Sequence, residues 1–282
     1  MPLRHPPSPS RAATALCEGC VAFTLALAAS CAATGATAPA VLPRAHSHND
    51  YLRARPLLDA LDVGFRSVEA DVFAVGGELL VAHERSSLRA ERDLASLYLT
   101  PLFERHLASE SVHATGDDTG FTLLVDIKAD AELTYALLRE TLEPYRAMLT
   151  RLEDGALLRS SVTVILSGSR PRATVAAERD RLVFLDGRIP DLEGAPPVGP
   201  ELIPLISASF PRHFRWRGSG PLPEEERARL AEWATLAHRQ GKRLRFWAVP
   251  GDEVGWEVLR TAGVDLIGTD DPARLARFLS EE

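Results

Sequence analysis

From residue 41 onward, short β-branched or apolar runs alternate with longer segments of helical period, as expected of parallel strands joined by helical crossovers. Eight runs read as strands: VLPRAHS (41–47), RSVEADV (66–72), FTLLVDIK (121–128), SVTVILSG (161–168), RLVFLDGR (181–188), ELIPLISASF (201–210), RLRFWAVP (243–250) and VDLIGTD (264–270). Helices fit between several of them. Pro56 opens PLLDALDVG with Leu57, Leu58 and Leu61 on one face and Gly64 past its end. PEEERARLAEWATLAHRQG at 223–241 carries glutamates in its first turn and Gly241 behind it. Eight β/α units in roughly 240 residues match an α/β (β/α)8 TIM barrel built as a single domain, which takes about 250 residues. A doubly wound sheet is the other arrangement that this alternation permits. ELLVAHE (78–84) reads as a small extra strand or hairpin after the second barrel strand. No internal repeat, low-complexity tract or Pro/Gly linker divides residues 41–282.

The first forty residues follow a different rule. Arg4, His5 and Arg11 precede the apolar run VAFTLALAAS (21–30), and the small residues CAATGATAPA follow. This is the layout of an export signal, with Glu18 at the edge of the run. The apolar run is too short to cross a hydrocarbon core of about 30 Å. The expected organisation is therefore a leader over 1–40 and a barrel over 41–282. Cys17, Cys20 and Cys31 all fall in the leader, so packing rather than disulfides is expected to hold the folded part. Cys31 follows LALAAS as in a lipoprotein signal, although Ala28 stands where leucine is usual. The expectation is a secreted or cell-envelope protein, with peripheral or lipid-anchored membrane association as one form of it.

The chain has 282 residues, 45% of them hydrophobic, which is ample for a buried core. Its net charge of −7, without any Lys/Arg run, excludes a nucleic-acid footprint. An acidic substrate would need local help, such as a cation.

In a barrel of this kind the chemistry gathers where strands end. His46 and His48 end the first strand; Glu69 and Asp71 lie on the second, Asp126 and Lys128 on the third. The fourth runs into Ser167 and Arg170, the fifth into Asp186 and Arg188, the sixth into Ser207 and Ser209, the seventh into Trp247 and the eighth into Asp270. Glu69 and Asp71 stand at i and i+2, so they share one face of their strand. Two carboxylates aimed into a barrel repel one another unless a cation compensates. Asp126, inward on the next strand, supplies a third anionic ligand, a set suited to Ca²⁺ or Mg²⁺ rather than zinc. An antiparallel sheet that shows both carboxylates to water is the alternative. His83 closes the hairpin after Asp71 and can fold back over the same mouth. Lys128, Arg170 and Arg188 are cations available to a phosphate. Trp247 either walls the pocket or packs the barrel.

The stretch AHSHNDYL (45–52) admits two readings. In one, His46 and His48 both bind zinc, as in the H-x-H of amidohydrolases and related phosphoesterases. That site needs further histidines at the ends of the middle strands, where FLDGR and SASF have none. In the other, one histidine moves protons and Asn49 is a metal ligand.

SHNDYL (47–52), SVEADV (67–72), VAHE (81–84) and LLVDIK (123–128) resemble, in order, the motifs of the phospholipase C-like phosphodiesterases. These include phosphatidylinositol-specific phospholipases C and glycerophosphodiester phosphodiesterases, and GVDLIGTDDPARL resembles the last strand and helix of the latter branch. The chain is most similar to the subgroup that includes the fungal altered-inheritance-of-mitochondria protein 6. The resemblance spans about residues 41–280 and implies a TIM barrel. It also implies His48 and His83 as catalytic acid and base, and Asn49, Glu69, Asp71 and Asp126 as metal ligands. Lys128, Arg188, Trp247 and His46 are then the residues expected around the substrate. The HRG and ENT signatures of typical glycerophosphodiesterases are absent, and Asp126 stands where glutamate is commoner. If that branch's AH is used for alignment, His46 replaces His48 as proton carrier. The expected function is an exported, Ca²⁺- or Mg²⁺-dependent phosphodiesterase acting on a small-molecule or lipid phosphodiester. A barrel that binds a phosphorylated ligand without turnover is the rival of a different class.

Overall fold

The computed structural model describes residues 39–113 and 120–281. The leader expected over 1–40 lies outside them, apart from its last two residues. Chain order gives strands β1 (Leu42–Ser47), β2 (Phe65–Val75), β3 (Glu78–Val81), β4 (Phe121–Ile127), β5 (Arg151–Glu153), β6 (Ala156–Leu158), β7 (Val162–Gly168), β8 (Val183–Gly187), β9 (Leu205–Ser209), β10 (Arg243–Trp247) and β11 (Leu266–Thr269). The α-helices are α1 (Leu58–Leu61), α2 (Thr100–Ser109), α3 (Ala131–Leu142), α4 (Arg172–Ala177), α5 (Ile189–Glu193), α6 (Phe210–His213), α7 (Glu224–Arg239), α8 (Glu253–Thr261) and α9 (Pro272–Ser280). β1, β2, β4, β7, β8, β9, β10 and β11 are the eight runs expected from the sequence. They pair in parallel in that order, and β1 also pairs with β11, so the sheet closes into the expected barrel.

Two layers of core follow from alternation along the strands. Outward residues such as Val68, Ala70, Val72, Val125 and Val164 join the large cluster formed with the helices. Inward residues Leu124, Ile165, Phe184, Leu205 and Leu266 form a separate cluster that fills the barrel. Two positions further along the same faces stand Asp126, Ser167, Asp186, Ser207 and Gly268. The interior thus changes from apolar to polar within one step toward the strand C-termini, and that polar floor positions the site.

The helices are set by their ends. α7 has Glu224, Glu225 and Glu226 in its first turn, His238 and Arg239 in its last, and buries Leu230, Trp233 and Ala237. Asp252 caps α8 by accepting from Gly255 N, and Asp271 caps α9 by accepting from Arg274 N. The helix expected from Pro56 to Gly64 is only the single turn α1. Leu57 takes φ 64°, outside the helical region, and its N–H donates to Asp50 Oδ2 at 2.5 Å instead of entering a helix. The extra strand expected at 78–84 is β3, antiparallel to β2. No helix among the described residues is long and apolar enough to cross a membrane.

Candidate active site at the barrel mouth

β2 is the platform of the site. Ser67, Glu69 and Asp71 alternate inward along it, and the parallel register sets Asp71 opposite Asp126 and Asp126 opposite Ser167. Carboxylate oxygens of Glu69, Asp71 and Asp126 lie within 4.8 Å of one another. The hairpin carries the chain back: Val72 faces Val81, and Ala82 N donates to Asp71 O. His83 consequently lands on Asp71, with Nδ1 2.9 Å from Oδ2.

Each carboxylate has a different environment. Glu69 Oε2 accepts from Arg245 Nη2 at 2.5 Å and contacts His46 Nε2 at 3.2 Å, with all three residues buried. Burial alone would raise the Glu69 carboxyl; Arg245 and then His46 outweigh it and hold the group well below the usual carboxylate range. Asp71 is 1% exposed, and its Oδ2 accepts from Tyr51 Oη and Lys128 Nζ, each at 2.7 Å. Its Oδ1 is buried without a partner. Burial raises the Asp126 carboxyl, as do the charges of Asp71 and Glu69, while Lys128 at 3.2 Å opposes them. Burial disfavours the Lys128 ammonium, yet Asp71 and Asp126 outweigh it and hold its pKa above the ordinary value.

The two histidines of the H-x-H stretch serve different neighbours. His46 is 0% exposed; its Nδ1 lies 2.7 Å from Ser67 Oγ and its Nε2 faces Glu69. Burial, followed by the charge of Arg245, pushes its pKa down to about 4. The ring is therefore neutral near pH 7, and we assign Nε2–H as donor to Glu69 and Nδ1 as acceptor from Ser67. Expected among the substrate contacts, His46 instead lies beneath the carboxylates with no surface to offer. His48 sits at the rim, its Nδ1 2.9 Å from Asp270 Oδ1. Asn49 adopts φ 49° and places its Nδ2 3.2 Å from Asp270 Oδ1. Its Oδ1 lies 2.7 Å from Tyr51 Oη, the same hydroxyl that reaches Asp71. Burial and then Asp71 raise the Tyr51 phenol, so it stays a neutral donor.

On the far wall, Arg188 Nη1 reaches Asp186 Oδ2 at 2.6 Å and Nη2 reaches Ser167 Oγ at 3.2 Å. Its guanidinium lies 5.2 Å from the centroid of the Trp247 ring. The structure thus gathers Asn49, Glu69, Asp71, Asp126, Lys128, His48 and His83 around one mouth and sets Arg188 and Trp247 across it.

A hard divalent cation fits the donor set. Three carboxylates face two cations, Arg245 and Lys128, so one negative charge is left over. The orphaned Asp71 Oδ1 offers a lone pair with no other use. Among the described residues no histidine belongs to this cluster, which sets it apart from the zinc H-x-H arrangement. Tyr51 and Arg245 bond Asp71 and Glu69 directly, and Ser67 holds His46 against Glu69; sequence reasoning did not single out these three. Arg245 was accessible in principle, since it shares an inward face with Trp247 at i+2.

Comparisons with known proteins agree with this architecture. The solved structure of a glycerophosphodiester phosphodiesterase from Parabacteroides distasonis superposes with a TM-score of 0.51 over 84% of this chain and 97% of its own, at 13% identity, a likeness of fold. The altered inheritance of mitochondria protein 6 homolog of Arthroderma benhamiae is 30% identical over 80% of each chain. The protein of that name from Eremothecium gossypii is 33% identical over 84% of this chain and 70% of its own. Residues 36–186, just over half of the sequence and the part that carries both histidines and all three carboxylates, match the AIM6-like phosphodiesterase domain, and the chain belongs to that family.

Proposed function

We propose that the chain is a phosphodiesterase that depends on Ca²⁺ or Mg²⁺ and uses His48 and His83 as its acid/base pair. The observation that carries this reading is the convergence of Glu69, Asp71 and Asp126 within 4.8 Å, flanked by those two histidines, in a phosphodiesterase-family barrel. Glu69, Asp71, Asp126 and the Asn49 carbonyl are the groups to hold the cation, which when bound supplies Lewis-acid neutralisation of charge gathering at phosphorus.

The chain's own residues do the rest. Lys128, seated between Asp71 and Asp126, pairs with both carboxylates and presents an ammonium to a phosphoryl oxygen. Asp270 Oδ1 lies 2.9 Å from His48 Nδ1, which orients the ring and leaves Nε2 to exchange a proton with substrate. His83 stands on the Asp71 side of the cluster. One ring takes the proton of the attacking hydroxyl while the other protonates the leaving oxygen, an arrangement that contributes about 10²–10⁴ in rate. Attack by a neighbouring substrate hydroxyl gives a cyclic phosphate first; attack by water gives the monoester directly. His46 stays neutral and locks Glu69 through its hydrogen bond. The leader over 1–40 sends the protein to the cell envelope or medium, with Cys31 as the site of a lipid anchor, where a small-molecule or lipid phosphodiester is met.

The test separates an enzyme from a binder. His48→Ala and His83→Ala should each lose about 10²–10⁴ in turnover while calorimetry still detects cation binding. Wild type that binds a diester and never cleaves it, whatever cation is supplied, would make the protein a binding barrel.

A further inference from the structure

Arg170 lies on the loop after β7 and has no part in the chemistry above. Gly168 ends β7 at φ +65°, and a Cβ there would sit 2.4 Å from Asp126 Oδ1. The bare glycine therefore lets the chain turn directly over the carboxylate cluster. Arg170 comes two residues later. Its backbone N donates to Gly168 O at 3.0 Å and its Nη1 to the same oxygen at 2.9 Å, folding the side chain back along the turn. Its Nε is buried and has no acceptor. Among the described residues no carboxylate forms an ion pair with it.

Each acid of this wall already pairs with another arginine, although Asp186 Oδ1 is buried without a hydrogen-bond partner. Asp186 Oδ2 accepts from Ser167 Oγ and Arg188 Nη1. Asp191 takes both terminal nitrogens of Arg172 and the backbone N–H of Arg188. Three guanidiniums, Arg170, Arg172 and Arg188, thus stand against two carboxylates, Asp186 and Asp191, and Arg170 is the cation left over. A plain diester carries one negative charge, which the cluster and Lys128 already serve. A guanidinium with an unmade hydrogen bond, close to a second guanidinium, suits the oxygens of a phosphomonoester, which carries −1.5 to −2 charges near pH 7.

We propose that Arg170, beside Arg188, forms a second anion subsite on the β7–β8 wall, so that the preferred diester carries a phosphomonoester on the alcohol bound there; this rests on the phosphodiesterase reading. The test uses two chromogenic substrates, the p-nitrophenyl diester of phosphoglycerol and the same diester with a phosphomonoester on its glycerol. Wild type should favour the second at least tenfold in kcat/KM. Arg170→Ala should cut that ratio about tenfold, and Arg170→Lys should restore part of it. Cleavage of both esters without preference, or a preference that survives Arg170→Ala, overturns the subsite while leaving the phosphodiesterase reading intact. If wild type cleaves neither ester, the parent reading fails. Calorimetry with glycerol bisphosphate then decides the subsite alone: at least tenfold weaker binding in Arg170→Ala supports it, and equal binding overturns it.

Discussion

The buried His46 gives a stability signature whose sign is fixed by its surroundings. Its folded pKa is about 4 against an ordinary 6.5, so the native state resists protonation that the unfolded chain accepts. Stability from this group is complete above pH 6.5 and is lost as pH falls toward 4. At 1.36 kcal/mol per pH unit the loss amounts to roughly 3 kcal/mol. For a chain of this size that corresponds to about 6–12 °C in Tm. The measurement is urea unfolding of wild type and His46→Gln at several pH values from 7 to 4. Glutamine stays neutral and can still donate to Glu69, so carboxylate contributions common to both proteins cancel in the difference. Whatever the offset at pH 7, wild type should fall relative to the variant by roughly 3 kcal/mol on acidification. A constant difference would refute the neutral, buried imidazole. A relative gain by wild type below pH 6.5 would mean that His46 is an imidazolium paired with Glu69.

Other substitutions test the supports of the cluster. Arg245→Met leaves Glu69 as a buried carboxylate without its cation, which should cost about 3–5 kcal/mol; added divalent cation should return more stability to the variant than to wild type, and equal return would contradict the pairing. Gly168→Ala places a methyl 2.4 Å from Asp126 Oδ1 at a left-handed φ, so calorimetry should show cation affinity at least tenfold weaker, and wild-type affinity would refute the close approach. Tyr51→Phe removes the hydroxyl shared by Asn49 and Asp71 and should weaken cation binding by about 10–100-fold while costing about 1 kcal/mol of stability; unchanged titration curves would remove Tyr51 from the site.

Much of the barrel was legible because alternation is a strong signal on strands buried on both faces. The inward parity of Glu69, Asp71 and Asp126 needed only the i, i+2 rule, and the structure brings the three together. Less visible was anything that depends on a long-range partner. Arg245 meets Glu69 across 176 positions of sequence, and neither residue announces the other. The descent of His46 beneath the site follows from its parity on β1 together with the space left at Gly268, its register partner. The α1 segment was misjudged because Asp50 captures Leu57 N–H and breaks the helix before it starts. The β5–β6 hairpin was overlooked although Asp154–Gly155, both at positive φ, is a strong two-residue turn signal. Its strands span only three residues each, too few for their alternation to register.

Cation-dependent cleavage of a phosphodiester at the mouth carboxylates, the activity proposed above, is directly testable. Chelator-stripped protein should be assayed on a chromogenic diester with Ca²⁺, Mg²⁺ or Zn²⁺ restored, alongside Asp71→Asn, which keeps the shape of the one ligand with an unpartnered buried oxygen. Ca²⁺ or Mg²⁺ should restore turnover in wild type, and Asp71→Asn should lose at least about a hundredfold. Turnover that survives chelation, or that Asp71→Asn leaves intact, would contradict the proposal.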